Sequence, residues 1–393
     1  MENALLDIRW KPARQQPEWD DASRLQQVRE ELAASPALVD PEDIRTLRSL
    51  LARVAAGDAL VVQSGDCAED PAECTLGYVA RKAAVLDLLA GAIKMITHKP
   101  VVRAGRIAGQ FGKPRSNPTE RVGDVELPVY RGHMVNSPEP DPVSRQPDPG
   151  RLLTCYQAAN DIMGHLGWRN PRDPDRRSRI DAPVWTSHEA LLLDYELPMV
   201  RRDEEGRLVL TSAHWPWIGE RTRRLDGAHV ALLSQVVNPV ACKVGPSMTV
   251  DELLGLCERL DPAREPGRLT LIARMGAGAV ADRLPPLVAA ARAAGHPVIW
   301  LTDAMHGNTV TLSNGFKTRF LETIEREIRE FQNAVGAEGG IIGGMHLETT
   351  PDDVTECVPN ESGVEHVGDK YTSFCDPRLN TSQALRVASA WLG

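Results

Sequence analysis

The stretch that decides the fold is "LTLIARMGAGAVADRLPPLVAAARAAGHPVIWLTDAMHG", residues Leu269–Gly307. It begins with an apolar, β-branched run, continues through the helical pattern "VADRLPPLVAAARAAG" and ends on a second apolar run, "PVIWLTDAMHG". A strand, a helix and a second strand in this order form the parallel βαβ unit. The stretch therefore predicts an α/β protein with a parallel sheet.

The same alternation extends over most of the 393-residue chain. Eight runs read as strands, and they are "ALVVQSGDC", "KPVVRAGRI", "APVWTSHEA", "LVLTSAHW", "PVACKVG", "LTLIARMG", "PVIWLTDAMHG" and "GGIIGGMHLE". Eight strands favour a closed (β/α)8 TIM barrel, and an open doubly wound sheet is the alternative. The fourth run is the weakest, because "RRDEEGRLVLTSAHW" also fits a hairpin.

The domain organisation follows from the same pattern. Residues 1–55 predict a helical N-terminal preface packed on the barrel, and residues 56–393 the catalytic barrel itself. Residues 121–181 are rich in Pro, Asp and Arg. They predict an irregular insertion after strand 2, with one helix near "RLLTCYQAANDIMGHL".

Composition excludes several functions. The formal net charge of -9 argues against general nucleic-acid binding, and no apolar run reaches membrane-spanning length. Seven cysteines without a CxxC pair favour a reduced, cytoplasmic protein. Against this acidic background "RAGRIAGQFGKPRSN", residues Arg103–Asn117, carries four cations and no acid. We therefore expect a small anionic ligand, with neither a nucleic acid nor a membrane as partner.

Ionisable groups follow nearly every predicted strand, at the barrel end where chemistry collects. They are Cys67, Arg106, Glu189, Glu220 with Arg221, Lys243, Arg274, His306 and Glu348. Cations aimed into one cleft repel one another unless an anion neutralises them, so they predict a site for more than one anionic group. The alternative is salt bridges with local acids. It is weakest for Lys113 and Arg115, whose nearest acid in sequence is Glu120.

A metal site is predicted from the order of the strands. Cys67, His306 and Glu348 end strands one, seven and eight, which become neighbours when a barrel closes. Asp376, in the loop after strand eight, completes a mixed donor set that suits Mn, Fe, Co or Zn. His346 is a competing ligand, because strand alternation places it on the same side as Glu348.

Eight motifs together resemble one family. "QSGDCAE", "RAGRIAGQFGKPRS", "WTSHEALLLDYE", "GERTRRLDGAHV", "IARMGA", "DAMHGNT", "GGMHLE" and "CDPRLN" are similar, in order and over roughly residues 8–393, to type II 3-deoxy-D-arabino-heptulosonate 7-phosphate (DAHP) synthases. The resemblance implies a (β/α)8 barrel. It also implies a transferase that condenses phosphoenolpyruvate with erythrose 4-phosphate to DAHP and phosphate, the first step of the shikimate pathway.

The resemblance also implies residue roles. The metal ligands would be Cys67, His306, Glu348 and Asp376, holding Mn²⁺ or Co²⁺ ahead of Zn²⁺ or Fe²⁺. Phosphoenolpyruvate would be held by Arg106, Glu220, Arg221, Lys243 and Arg274, and erythrose 4-phosphate by Lys113, Pro114, Arg115 and Ser116. Lys113, His306 and Glu220 would be catalytic, although Glu220 fits equally well as a salt-bridge partner of an arginine. The family associates, so a homo-oligomer (dimer or tetramer) is expected.

The chain also departs from the family pattern. Ala304 replaces a common proline in "DAMHGNT", with little effect expected, and His133 replaces an acid in "YRGHM". A short insertion around residues 167–179 argues against aromatic amino-acid feedback and favours secondary metabolism of the phenazine type. Three alternatives stay open: a synthase of 3-amino-DAHP acting on an imino sugar phosphate, a metal-dependent hydrolase or lyase, and a non-catalytic anion-binding or regulatory barrel.

Overall fold

The computed structural model describes residue 8 and residues 10–168 and 183–391. These residues group into two compact units. The first unit comprises those within 1–44, 68–80 and 107–238, and the second those within 45–67, 81–106 and 239–393.

The elements alternate as expected along the described chain. The strands are β1 Leu60–Gly65, β2 Val101–Arg106, β3 Thr119–Val122, β4 Val125–Pro128, β5 Trp185–Thr186, β6 Val200–Arg202, β7 Leu208–Leu210, β8 Trp217–Ile218, β9 Val240–Val244, β10 Leu269–Ala273, β11 Ile299–Thr302, β12 Val310–Thr311, β13 Lys317–Thr318 and β14 Ile341–Glu348. The helices are Ala22–Ala34, Pro41–Ala55, Leu76–Thr97, Gly150–His165, Leu193–Glu196, Ala228–Gln235, Val250–Leu260, Ala279–Ala293, Leu321–Ala337 and Thr381–Ser389. Short 3-10 turns occupy Pro71–Glu73, Leu197–Met199, His306–Asn308 and Glu361–His366.

The second unit is built on six parallel strands in the order β2, β1, β14, β11, β10, β9. Every residue of β1, β9, β10 and β11 is buried. A parallel sheet covered on both faces reads as continuous apolar runs, which is why these strands stood out in the sequence. Since the strands are parallel, their carboxyl ends share one edge, and the side chains that follow them can meet there.

Helices of the second unit pack their apolar stripe on this sheet. Helix Leu321–Ala337 buries Leu321, Ile324, Ile328 and Phe331, a spacing of three and four residues that marks one helical face. The same face carries one buried acid, Glu327, which apolar periodicity alone does not explain.

The first unit contains β5 and β8, and a parallel bridge between Glu189 and Trp217 joins the chain near the ends of these two strands. The fourth predicted run required correction, because β7 pairs antiparallel with β6, and the parallel strand lies further on at β8. The hairpin alternative is therefore the right one for that run. Its turn is stabilised by Asp203 Oδ1, which accepts the N–H groups of Glu205 and Arg207.

The predicted insertion also belongs to the first unit. It contains most of the hairpin β3–β4 and the predicted helix, which runs from Gly150 to His165. The segment 167–179, on which the feedback expectation rested, falls mainly outside the described residues. Among the helices that the structure describes, none combines the length and the apolar character needed to cross a membrane.

Candidate active site

Three of the four predicted metal ligands meet at the carboxyl edge of the second unit's sheet. One potential ligand atom each of Cys67, Glu348 and Asp376 lies within 4.8 Å of the other two. Cys67 follows β1, Glu348 ends β14, and Asp376 approaches from the loop beyond. The Asp376 backbone N–H donates to Cys67 Sγ at 3.3 Å, which keeps loop and thiol together.

The fourth predicted ligand, His306, approaches the same cluster from the turn after β11. Its Nε2 lies 3.2 Å from Glu348 Oε1, and its Nδ1 lies 2.8 Å from Asp303 Oδ2. With its Nδ1–H on Asp303, the ring directs the Nε2 lone pair at the Glu348 carboxylate. Two facing acceptors are stable only with a cation or a proton between them.

These donors fit a divalent ion. A thiolate, two carboxylates and an imidazole are the donor set of a borderline metal, and a carboxylate behind the imidazole is the usual outer partner of a metal-bound histidine. Ligand atoms about 2.0–2.3 Å from an ion lie at most about 4.6 Å apart, close to the spacing of the cluster.

Buried arginines surround Glu348, which is itself fully buried. Arg106 Nη2 donates to Oε1 at 3.0 Å, and Arg319 Nη1 donates to Oε2 at 2.8 Å. Arg106 was predicted to bind substrate, yet here it also makes a salt bridge with a candidate ligand. On the other carboxylate, Lys317 Nζ lies 3.0 Å from Asp376 Oδ1.

A second cationic group lies beside His306. Lys243 Nζ donates to Asp303 Oδ2 at 2.5 Å, so one carboxylate holds both the lysine and the histidine. Burial lowers the pKa of Lys243 to about 8, since the attraction of Asp303 only partly compensates and Arg106 and Arg274 repel its charge. Burial would raise the pKa of Asp303, but His306 and Lys243 hold it well below the ordinary value. The positive charges of these cations exceed the negative charge of the Asp303 carboxylate, which favours binding of an anion beside them.

The competing ligand His346 has both ring nitrogens engaged elsewhere. Nδ1 lies 2.6 Å from Gln63 Oε1, and Nε2 lies 2.8 Å from Arg106 Nη1. Burial and the neighbouring cations Lys243 and Arg106 lower the pKa of His346 well below its ordinary value, so the ring is neutral. In this arrangement His346 orients Arg106.

The remaining predicted residues lie in the first unit. Lys113 is buried, and its backbone N–H donates to the backbone carbonyl oxygen of Arg131 at 2.8 Å. Arg115 forms a salt bridge with Glu120 at 2.8 Å. The alternative of a local salt bridge, which the sequence favoured least for Lys113 and Arg115, therefore does occur at Arg115. Ser116 Oγ accepts from Arg221 Nη2 at 2.6 Å, which joins one candidate for the sugar phosphate to one for phosphoenolpyruvate.

Glu220 makes a salt bridge of the kind that the sequence left open. Its Oε1 accepts from Arg223 Nη2 at 2.9 Å, a neighbour in "GERTRR" that sequence reasoning did not select. Its Oε2 is buried and, among the residues that the structure describes, has no hydrogen-bond partner. The carboxylate therefore has one oxygen engaged by an arginine and one available to orient a water or a substrate group.

Sequence reasoning missed three further residues: Asp303, Arg319 and Glu69. Asp303 stands three residues before His306 in "DAMH", a spacing that could have signalled the pair. Glu69 is fully buried and accepts the N–H groups of Ala108, Gly109 and Gln110, which shapes the loop that leads to Lys113. Arg319 carried no local signal, because its contact with Glu348 spans 29 positions.

The fold and this cluster define a class: a barrel-type α/β enzyme with a site for a divalent ion beside buried cations. Comparison with known proteins agrees. A family model described as "Class-II DAHP synthetase family" matches residues 4–169 and 172–391. The chain belongs to that family, and it is an enzyme of the DAHP synthase class.

Individual relatives match all or nearly all of the chain. A "Probable phospho-2-dehydro-3-deoxyheptonate aldolase" of Pseudomonas fluorescens is 59% identical and covers 100% of this chain and 97% of its own. A "Phospho-2-dehydro-3-deoxyheptonate aldolase" of Streptomyces coelicolor is 39% identical, with 96% and 94% covered. The solved structure of phospho-2-dehydro-3-deoxyheptonate aldolase from Francisella tularensis aligns with a TM-score of 0.55 at 14% identity, over 96% and 99% of the two chains. This last likeness concerns the fold alone, and it agrees with the barrel class predicted from the sequence.

Proposed function

We propose that the chain condenses phosphoenolpyruvate with erythrose 4-phosphate to give DAHP and phosphate, with a divalent ion held by Cys67, His306, Glu348 and Asp376. The observation that carries the proposal is the placing of these donors among buried cations. Cys67, Glu348 and Asp376 approach within 4.8 Å, and Arg106 contacts Glu348 directly. Such a site can hold a cation and an anion side by side.

Lys243, Arg274 and Arg106 are the proposed holders of phosphoenolpyruvate in the second unit. Both Arg106 and Lys243 are buried, and a phosphate or carboxylate would relieve their mutual repulsion. Arg274 lies beside the metal histidine, with Nη2 donating to the His306 carbonyl at 3.4 Å. The three cations would fix the enol phosphate and favour its departure as inorganic phosphate.

Lys113, Pro114, Arg115 and Ser116 are the proposed holders of the sugar phosphate, and Glu220 and Arg221 the further contacts of phosphoenolpyruvate; both roles are carried over from the family resemblance. A divalent ion held by Cys67, His306, Glu348 and Asp376 would supply Lewis-acid polarisation of the aldehyde oxygen of the sugar. Asp303 keeps the His306 Nε2 lone pair directed at the cluster. Lys113, buried and cationic, is the proposed proton donor to the aldehyde oxygen, and Glu220 Oε2 the proposed acceptor for the water that adds at C2.

The proposed setting is the cytoplasm. All seven cysteines are free thiols, which supports a reducing compartment. Secondary metabolism is the proposed destination of the product. We also propose a homo-oligomer, as expected from the family.

The test is phosphate release by the metal-stripped protein given Mn²⁺ or Co²⁺, phosphoenolpyruvate and erythrose 4-phosphate. Turnover restored by the ion supports the proposal. No turnover, with phosphoenolpyruvate still bound, would overturn the choice of sugar and make an imino sugar phosphate, hence 3-amino-DAHP, the leading assignment. If the protein neither turns over nor binds phosphoenolpyruvate, the remaining assignment is a non-catalytic barrel.

A matched pair of thiol variants tests the ligand assignment. Cys67→Ser removes a proposed ligand and is expected to weaken Co²⁺ binding by at least about 10-fold, the lower end found for outer-shell partners. Cys74→Ser removes a thiol that the structure places outside the cluster, and is expected to bind and turn over like the parent. Equal Co²⁺ affinity of the two variants would contradict the assignment.

A further inference from the structure

Two loops of the second unit meet backbone to backbone. One follows β10 and contains Gly276, and the other follows β11 and contains Gly307. A Cβ on Gly307 would lie 2.4 Å from the backbone nitrogen of Gly276, and Gly276 itself has a φ of +92. Neither position tolerates a side chain, so the two loops are in direct contact.

One buried carboxylate bridges these loops from the helix behind them. Glu327 Oε1 accepts the N–H groups of Met275 at 3.2 Å and Gly276 at 3.0 Å. Its Oε2 accepts from Asn308 Nδ2 at 2.5 Å. Asn308 Oδ1 in turn accepts the N–H of Ala277 at 3.0 Å, which closes the bridge.

The bridged loops carry groups of two different kinds. Arg274 directly precedes Met275 and is a proposed contact of phosphoenolpyruvate. His306 lies two residues before Asn308 and is a proposed metal ligand. A buried carboxylate is costly unless it is hydrogen-bonded, and here three donors supply the compensation. Burial raises the pKa of Glu327 to about 7, which means that the charged carboxylate is destabilised at this position.

We propose that Glu327 is a positioning residue that couples the anion site at Arg274 to the metal ligand His306. The inference rests on the proposed function. An occupant of either site fixes one loop, and the Glu327 bridge transmits that order to the other loop. Coupling of this kind is reciprocal, so phosphoenolpyruvate strengthens metal binding by the same factor as the metal strengthens phosphoenolpyruvate binding.

The informative variant is Glu327→Gln. Glutamine keeps the shape and one acceptor oxygen, which serves either the two N–H groups or the Asn308 amide, but not both. Asn308→Ala breaks the bridge from the other side. Glu330→Gln is the matched control, because Glu330 lies on the same helix and contacts the N–H of Gly278 at 2.7 Å and Arg326 Nε at 3.8 Å, both outside the bridge.

The experiment titrates metal-stripped protein with Co²⁺, with and without saturating phosphoenolpyruvate, and corrects for Co²⁺ bound by free phosphoenolpyruvate. The readout is the thiolate-to-cobalt absorption band, which does not depend on turnover. In the parent we expect phosphoenolpyruvate to tighten Co²⁺ binding by about 5-fold or more. In Glu327→Gln and Asn308→Ala this factor should fall towards one, and Glu330→Gln should retain the parent value.

A parent-like factor in folded Glu327→Gln would overturn the inference, since the coupling would then be direct electrostatics between ion and anion. Absence of coupling in the parent would overturn it too. Failure of the parent itself to bind Co²⁺ or phosphoenolpyruvate would overturn the proposed function, and this is seen before any variant is compared. If Glu327→Gln does not fold, Asn308→Ala decides the question.

Discussion

At the residue scale, Asp303 is the side chain on which most of the proposed chemistry depends. It accepts from Lys243 Nζ and from the His306 ring, so it joins a proposed anion-binding group to a proposed metal ligand. An outer partner of this kind sets both the orientation and the basicity of the histidine.

Asp303→Asn is expected to weaken Co²⁺ binding about 10–100-fold. In one orientation the amide directs its NH2 group at Lys243 Nζ and the His306 ring, which contact Oδ2 in the parent. In the other it directs the NH2 group at the backbone N–H groups of Met305 and His306, which donate to Oδ1, so either orientation sets donor against donor. Titration of metal-stripped protein with Co²⁺ measures the effect. Asp352→Asn, which removes a surface partner of Arg81, is the control and should bind like the parent. An unchanged affinity in Asp303→Asn would show that His306 needs no carboxylate behind it.

Lys243 predicts a pH dependence. Its pKa of about 8, below the ordinary 10.5, means that the ammonium loses its proton as the pH rises through 8. The phosphate of the ligand is already fully ionised there, since its second pKa is about 6. Phosphoenolpyruvate affinity, measured by calorimetry on metal-free protein, should therefore fall about tenfold per pH unit above pH 8.

Lys243→Arg is expected to abolish the fall in phosphoenolpyruvate affinity above pH 8, because a guanidinium stays charged throughout this range. Its affinity should be nearly flat between pH 7 and about 10. Lys94→Arg, on the surface of helix Leu76–Thr97, should follow the parent curve. Two superimposable curves for Lys243→Arg and the parent would place the titrating group elsewhere.

At the scale of elements, the close pairing of β1 and β14 brings Cys67 and Glu348 together. Gly344 lies opposite Val61 in this pairing and has a φ of +146. A Cβ there would lie 1.9 Å from the Val61 carbonyl oxygen. The strands can approach this closely only because the residue is glycine.

Gly344→Ala is expected to lower the free energy of unfolding by about 3 kcal/mol, the upper range for overpacking a core. Gly91→Ala makes the same chemical change in helix Leu76–Thr97, where nothing lies within 4 Å of the added Cβ. It should raise the free energy of unfolding by about 0.5–1 kcal/mol. Urea denaturation of both variants checks the opposite signs. Destabilisation by both would mean that the loss at Gly344 is not specific to the strand contact.

At the scale of the whole molecule, the chain is shorter in sequence than its less similar relatives over the aligned region. The Streptomyces coelicolor relative aligns over 422 positions and the Mycolicibacterium smegmatis relative over 432, both more than the 393 residues here. Those relatives therefore carry internal segments that this chain lacks. The 59% identical relative aligns over 391 positions, without such a difference.

We expect Phe, Tyr and Trp, singly and together, to leave turnover unchanged, because internal segments that could bind a regulator are missing. Phosphate release in the presence of each amino acid measures this. Saturable inhibition by any of the three would contradict the expectation and argue for primary rather than secondary metabolism.

Much of the fold was readable from the sequence because its causes are local. Apolar runs between amphipathic helices predicted seven of the eight parallel strands, and helix Ala279–Ala293 overlaps the predicted helical run "VADRLPPLVAAARAAG". The fourth run was ambiguous because the turn around Asp203 makes a local hairpin as favourable as a parallel crossover. Strand ends also predicted that Cys67, His306 and Glu348 lie close together, since parallel strands present their carboxyl ends at one edge.

The sequence by itself determined the class of the fold, the family and the residue types that could hold a divalent ion and phosphate groups. Only the tertiary structure decided which of those residues contact one another and which other residues contact them. It showed the salt bridges of Arg319 with Glu348 and of Arg115 with Glu120, and the hydrogen bond between His346 and Arg106. It also showed that Glu327 hydrogen-bonds to two loops. Apolar periodicity is a property of neighbouring residues. Ion pairs between distant elements depend on the distances that folding creates, so no local pattern records most of them.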